Sequence, residues 1–419
     1  MDIISKFGIL VSQASISVTI YRLLYNIMLT ETNSKRILLL TLVHPDFLPP
    51  VYAFAQVLRD EGYNIHILTF DSFVPSELDL GSDIILESAG RHYDARTTER
   101  IKLRNKFTKR ALELAEGETI AVISFCPFSF HTGIIVKSTY KIPLIYHALE
   151  LSDFRLSVFL KSPLSNYRNL RALQTLSEAD LIATPSIQRS AWLAGRCHLT
   201  YMPYTILNTS YLSATAPEAS YDIFRDLVPT NFLDKKIILY TGAVNADLCT
   251  MELVQAFELL NDEQSVLIIT GIKDTDYCES IKHTVEKSKA AKRIKLFPYI
   301  TRKEMLSLQA NAHIGVCLAK ESQENVKSKM MAPNKAGEYL AKDLYLLGIL
   351  SEYLRPMKIQ GTASLAITTS PEDICISMRE ALHAVNEKDY KDKITNFVRD
   401  FFCMQQQLKP IIKYLRKDR

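Results

Sequence analysis

Short apolar runs alternate with amphipathic stretches along most of the chain. RILLLTL (36–42) opens the pattern, and a helical period from Val51 to Asp60 follows, ended by Gly62. IHILTF (65–70), DIILES (83–88), IAVISFCP (120–127), PLIYHAL (143–149) and DLIATPS (180–186) repeat the apolar signature, with a helix expected from near Phe130. Continuous apolar runs of this length suit strands covered on both faces, as in a parallel sheet. The βαβ alternation therefore predicts a parallel sheet with helices on both sides. Residues 205–233 break the rhythm, with Asn208, Thr209, Ser210, Pro217 and Pro229 and no clean period.

A second alternating set follows. Strands are expected at 236–242, 265–271, 293–299, 312–319, 344–350 and 364–368. Helices are expected at 251–260, to about 290, at 302–310, around 334–341, at 371–384 and at 388–417, the last ending in the basic KYLRKDR. The fold class expected is α/β, with two Rossmann-like doubly wound domains facing a central cleft. Residues 1–212 form the first domain, with 1–31 as an extra segment. Residues 213–233 are the linker, 234–385 the second domain, and 386–419 a C-terminal helix able to pack back on the first. Ligands of such sheets bind beyond the carboxyl ends of the strands, so the cleft is the expected site.

Composition narrows this picture. The chain has 419 residues, 47% apolar and 23% charged, as in an ordinary folded protein of two domains or so. Fifty basic and 46 acidic residues give a net charge of +4, too even for a dedicated nucleic-acid binder. The seven cysteines form no CxxC pair and no zinc-finger spacing, which fits a reducing compartment. Cys126 and Cys317 lie in apolar runs and read as core residues. Residues 7–29 are fairly apolar but contain Gln13, Arg22 and Asn26, unlike a spanning helix or a cleaved signal. A helix packed on the protein and an interfacial membrane helix are the two readings left there. Between 91 and 110 stand eight cations: Arg91, Arg96, Arg100, Lys102, Arg104, Lys106, Lys109 and Arg110. They form either a solvated helix face or a contact for anionic lipid headgroups.

No GxGxxG, GxxxxGK(S/T) or GxSxG is present, so nicotinamide, P-loop and α/β-hydrolase chemistry lack their signatures. APNKAGEYLA (332–341) is the informative stretch. Pro333 suits the first turn of a helix, and Lys335 and Glu338, three apart, share one face. A helix start at the cleft favours an anion, so a Lys there can hold a phosphate and a Glu one turn on can accept ribose hydroxyls. An ordinary surface pair is the plainer alternative. Asp274-Thr275-Asp276 can be read as a metal-binding pair or as a helix cap, and the cap is favoured. His131 and His44 can line the cleft or simply pack.

These residues resemble the retaining glycosyltransferase family 4 ("group 1") enzymes of the GT-B fold. PNKAGEYLA (333–341) is similar to their P-x-K-x-x-E-Y-(L or M)-A segment. ILYTGAVNADL (238–248) resembles their glycine turn, LIITG (267–271) their second strand, and RIKLFPYITRKEMLSLQANAHIGVCLA (293–319) the run that follows. HPDFLPPVYAFAQVLRDEGYNIHILTFD (44–71) and IPLIYHALEL (142–151) resemble parts of their first domain. The resemblance covers about residues 36–385.

The resemblance implies transfer of a sugar from a nucleotide-sugar to a hydroxyl of a glycan or lipid-linked acceptor, with retention, in polysaccharide or glycoconjugate biosynthesis. It implies that Glu338 binds the donor ribose and Lys335 the diphosphate, within a donor set that also holds Gly242, Ala243, Gly271, Tyr299, Ile300, Pro333 and Asn334. His147 is implied beside the transferred sugar, with Glu150 supporting that loop and His44 on the acceptor side. No cofactor and no metal is expected; the placement expected is cytoplasmic, with a peripheral position at the inner face of the plasma membrane as an open alternative. The chain departs from the family pattern in three places, one of them the usual Gly-x-Pro after the EY helix, replaced by Asp343 and Leu344. Met330 stands where the first Glu of Glu-x7-Glu falls. Ala243, Asn245 and Asp247 stand where an Arg and a Lys usually meet the diphosphate, and no cation lies between Lys236 and Lys273. A non-catalytic partner of a polysaccharide assembly complex, and a nucleotide-sugar epimerase of the same fold, are the alternative expectations.

Overall fold

The computed structural model describes residues 35–71, 83–91, 97–150, 163–212, 221–320, 330 and 332–417. Residues 7–29, Arg96, Lys327 and Lys329 lie outside them.

The first sheet has seven strands: β1 (Arg36–Leu40), β2 (Asn64–Thr69), β3 (Ile84–Ser88), β4 (Thr119–Ser124), β5 (Leu144–His147), β6 (Leu181–Thr184) and β7 (Tyr204–Thr205). Their order is β3-β2-β1-β4-β5-β6-β7, with every pair parallel. The second has β8 (Lys236–Tyr240), β9 (Ser265–Ile269), β10 (Ile294–Leu296), β11 (Ile314–Cys317), β12 (Tyr345–Ile349) and β13 (Ala363–Ala366), in the order β10-β9-β8-β11-β12-β13, again parallel. Each sheet reverses its order once, between β1 and β4 and between β8 and β11. Crevices for ligands open at such reversals.

The apolar runs are buried as strands sheathed on both sides must be. Ile37, Leu39 and Ile123 belong to one core of the first domain and Leu38, Leu40 and Val122 to another, because successive side chains leave opposite faces. Helices α1 (Pro49–Asp60), α2 (Thr97–Ala115), α3 (Pro127–Tyr140), α4 (Pro163–Gln174) and α5 (Ile187–Arg196) belong to this domain. A single core fills the second domain.

Two local readings of the sequence need correction. β7 is not among the strands expected; it ends on the first residue of the stretch read as irregular, and holds to β6 through only two register pairs. Within that stretch Tyr221–Leu227 forms the short helix α6, and Phe224, Val228 and Phe232 join the core of the second domain. The single helix expected over 388–417 is three: α13 (Tyr390–Asp400), α14 (Met404–Gln407) and α15 (Lys409–Lys417). The break has a physical cause. Ile394, Val398 and Phe402 bury in the second domain, whereas Met404, Leu408, Ile411 and Leu415 bury in the first. The chain must leave one core for the other, and the N–H of Met404 donates to the Ser210 carbonyl at 3.0 Å as it crosses.

Between β8 and α13 run α7 (Thr250–Leu260), α8 (Asp276–Lys287), α9 (Arg302–Asn311), α10 (Asn334–Leu340), α11 (Arg355–Ile359) and α12 (Pro371–Ala384). The seven-residue α10 lies against the crossover segment 208–210. A Cβ on Gly337 would come within 2.8 Å of the Asn208 carbonyl oxygen and 2.8 Å of Thr209 Cα. Helix propensity alone favours Gly337→Ala by about 1 kcal/mol. Overpacking against backbone costs about 1–3 kcal/mol, so the substitution is expected to destabilise, as a lower midpoint of urea unfolding. A midpoint raised by Ala would mean that this contact between domains yields easily.

Among the described residues no helix is long and apolar enough to cross a membrane.

Candidate functional site

The carboxyl ends of the two sheets meet across the cleft. Hydrogen bonds run from the first domain to the segment that leads into α10. Arg189 Nε donates to the Met330 carbonyl at 2.8 Å, and Asn208 Nδ2 to that of Ala332 at 2.8 Å. Tyr353 donates its hydroxyl proton to the Asn208 carbonyl at 3.2 Å.

On the second domain, β8 ends in Thr241-Gly242, and Gly242 has φ +107°, open to glycine and strained for other residues. Gly271, after β9, has φ +91°, and a Cβ there would lie 2.0 Å from the Gly242 carbonyl oxygen. Two turns thus nest with no room for side chains. The turn after β10 closes the third side, because Gly271 and Ile272 donate to the carbonyls of Pro298 and Phe297 at 3.1 and 3.0 Å. Tyr299 beyond it is 59% exposed, and Ile300 rests partly on the core.

Lys335 comes from α10 over this nest. Its Nζ lies 3.8 Å from the centroid of the Tyr240 ring, a cation–π contact. A Cβ on Gly242 would stand 3.1 Å from Lys335 Cε. Burial pushes the Lys335 ammonium down to about 8, against smaller opposing effects of Cys317 and Glu338. Tyr339, one turn on, anchors α10 by accepting from the Thr241 N–H at 2.9 Å, and its ring fills the space left by Gly315. Pro333 occupies the cap position of α10, and the N–H of Ala336 donates to its carbonyl at 3.2 Å. Asn334 is the first residue of the helix. Glu338 Oε1 accepts from Arg302 Nη1 at 2.6 Å, an ion pair whose carboxylate is 11% exposed.

The loop after Gly242 is held by backbone and polar side chains. Tyr240 donates its hydroxyl proton to the Ala243 carbonyl, and the Asn245 side chain caps the turn by accepting from Leu248 N–H at 3.2 Å. Lys320, arriving from the neighbouring β11, donates its N–H to the Asp247 carbonyl at 2.7 Å. Its ammonium pairs with Glu252 at 2.6 Å.

On the first domain His147 ends β5 and is fully buried. Its ring stacks on Phe54 with centroids 5.0 Å apart and lies edge-on to Phe125. Burial, with the Arg189 charge nearby, drives its pKa down to about 3, and neither ring nitrogen has a hydrogen-bond partner of good geometry. In this structure the imidazole packs between Phe54 and Phe125. Glu150 is exposed two residues beyond the buried Ala148. His44 is buried and caps a short 3-10 turn, its Nδ1 accepting from Asp46 N–H at 3.3 Å. His131 is half-buried, with Nε2 3.2 Å from the Arg168 carbonyl. The hydroxyl of Thr275 caps α8, as the cap reading expected.

Sequence reasoning missed Arg189. It is 8% exposed, and besides Met330 it reaches the Leu149 carbonyl through Nη1. Met330 itself, at the family's first Glu position, packs its side chain on the core of the first domain.

No protein-family model matches the sequence, and no curated protein matches it. Solved structures do match in fold. Sucrose-phosphate synthase from Thermosynechococcus elongatus superposes with a TM-score of 0.67 at 14% identity, over 92% of this chain and 100% of that one. HepE of Anabaena, crystallised with UDP-glucose, gives 0.64 at 12% identity, over 91% and 100%. UDP-GlcNAc 2-epimerase from Methanocaldococcus jannaschii gives 0.57 at 14% identity, over 91% and 99%. The fold is therefore GT-B, two Rossmann-like parallel-sheet domains about a cleft.

Proposed function

We propose that the chain is a glycosyltransferase that binds a nucleotide-sugar on its second domain and transfers the sugar to an acceptor hydroxyl with retention. One observation carries the reading: Lys335 is packed onto the side-chain-free turn of Gly242 and Gly271, one helical turn from Glu338. Backbone N–H groups at such a turn can approach a diphosphate closely, and an ammonium within reach adds the charge. Glu338, paired with Arg302, is suited to accept hydrogen bonds from two ribose hydroxyls. Tyr299 and Ile300 flank the base.

In this reading Lys335 and the turn stabilise the departing diphosphate. That charge is where catalysis gains most, since it develops in the transition state. The acceptor hydroxyl attacks from the face the diphosphate leaves, and a departing phosphate oxygen takes its proton. No metal or cofactor takes part. Closure of the two domains over the donor keeps water from the activated sugar. His147, at the end of β5, polarises or positions the transferred sugar. The acceptor is a glycan or a lipid-linked saccharide. Arg100, Lys102, Lys106 and Lys109 are exposed on α2 and suit an anionic membrane surface.

Thermal unfolding with UDP, GDP, CMP and ADP and their common sugars tests the reading. A ligand at 100 times its Kd stabilises by about 2.7 kcal/mol, so one nucleotide is expected to raise the midpoint of the native protein. No shift with any of them would overturn it in favour of a non-catalytic partner, to which the cation-poor loop 243–248 already lends weight. The epimerase neighbour supports one further reading. Isomerised donor appearing from nucleotide-sugar alone, with no acceptor, would establish it.

A further inference from the structure

Arg189 is a buried guanidinium at the start of α5, where it is rigidly based. Ser186 Oγ caps the helix by accepting from Arg189 N–H at 3.3 Å, and the next residue, Ser190, exchanges hydroxyl hydrogen bonds with Thr184 at 2.8 Å and Thr205 at 3.2 Å. From this base the side chain reaches two carbonyls that lie far apart in sequence and on different domains, Leu149 and Met330. Glu150 bears on it electrostatically, which offsets part of the cost of burying the charge. A guanidinium is suited to this, because its donors diverge in one rigid plane and can hold two acceptors at a fixed separation.

The two carbonyls flank the parts that the proposed reaction must align. Leu149 lies in the loop after β5, between His147 and Glu150. Met330 leads through Ala332 and Pro333 into α10 and so to Lys335 and Glu338. Two further features fix the Met330 end: its side chain sits on the first domain's core, and Ala332 is held by Asn208.

We propose that Arg189 is a positioning residue that ties Met330, and with it the donor-binding residues 332–338, to the loop 147–150 across the cleft. The tie itself stands on contacts; its catalytic consequence rests on the transferase reading above.

Hydrogen–deuterium exchange on the full-length protein without ligand tests the tie. In Arg189→Met, amide exchange is expected to quicken at least tenfold in peptides covering 147–150 and 332–338 together, with β4 and β8 unchanged. Quickening on one side only, or spreading into β4 and β8, overturns the tie. Arg189→Lys provides the same comparison if the Met variant does not fold. It keeps the charge without the two-pronged fork, so both segments are expected to quicken again. In the donor-saturated reaction, Arg189→Lys is expected to lower kcat at least tenfold while the donor KM moves less than threefold, a split that general loss of fold does not produce. Native protein that shows no nucleotide protection at 332–338 would defeat the transferase reading, and the ligand-free exchange would still decide the tie.

Discussion

Lys335→Met is expected to cut kcat by about 10²–10³-fold, the range found when one group stabilising transition-state charge is removed. The effect should be this large because the loop after Gly242 carries Ala243, Asn245 and Asp247 and supplies no cation of its own. Lys320, the nearest cation to enter that loop, has its ammonium on Glu252. The same substitution should make the ligand-free protein more stable. The Lys335 ammonium titrates at about 8 when folded and at 10.5 as the ordinary lysine value, so between these the unfolded chain binds the extra proton. Stability therefore rises with pH across that window. The penalty from Lys335 is absent above 10.5, grows as pH falls towards 8, and stays constant below it. The denaturation midpoint of the Met variant should exceed that of the native protein by a margin that widens over this window and then levels. Affinity for a nucleoside diphosphate runs the other way. It needs the charged amine, so above pH 8 it should fall by up to tenfold per unit, and the Met variant should lose that dependence. Calorimetric titration between pH 7 and 10 reads both. Equal pH profiles for the two proteins would remove Lys335 from the phosphate site.

A residue that costs stability when alone and helps only when an anion is bound is characteristic of binding sites. The same reasoning explains what could be read from the sequence and what could not. All twelve apolar runs became strands, because sheathing by helices leaves a parallel strand no polar face to obscure the signal. β7 escaped because two residues at a sheet edge have too little pattern to register. The break at Phe401–Cys403 escaped because both halves have good helical periods, and only the distance between two cores separates them. Lys335 and Glu338 could be paired from the sequence because three positions set them on one helix face, whereas Gly242, beside Lys335 in the fold, was reached only through the resemblance. Arg189 was not, since its meaning lies in carbonyls 40 and 141 residues away. The enclosure of His147 was equally hidden. Its neighbours Phe54 and Phe125 come from α1 and the end of β4, and nothing in the segment 143–149 announces them.

Glu338→Ala is expected to weaken nucleoside diphosphate binding by about a hundredfold or more. Hydrogen bonds to a charged group contribute about 1.5–3 kcal/mol each, and the carboxylate is assigned two, to the ribose hydroxyls. Glu338→Gln keeps the shape and one acceptor oxygen and should fall between. Arg302 separates the site role from a structural one, because it holds Glu338 Oε1 at 2.6 Å. If Glu338 exists to bind ribose, Arg302→Met leaves the carboxylate in place, less well oriented, and should cost about tenfold in affinity. Loss of both should cost less than the sum, since the two residues share one bond. If Glu338 exists only to anchor Arg302, either variant should lower the unfolding midpoint equally and leave nucleotide affinity within threefold of native. Calorimetry on the two single variants and the double variant distinguishes these cases. The second pattern would leave Lys335 as the one charged side chain assigned to the donor and return the ribose to backbone groups around Gly271.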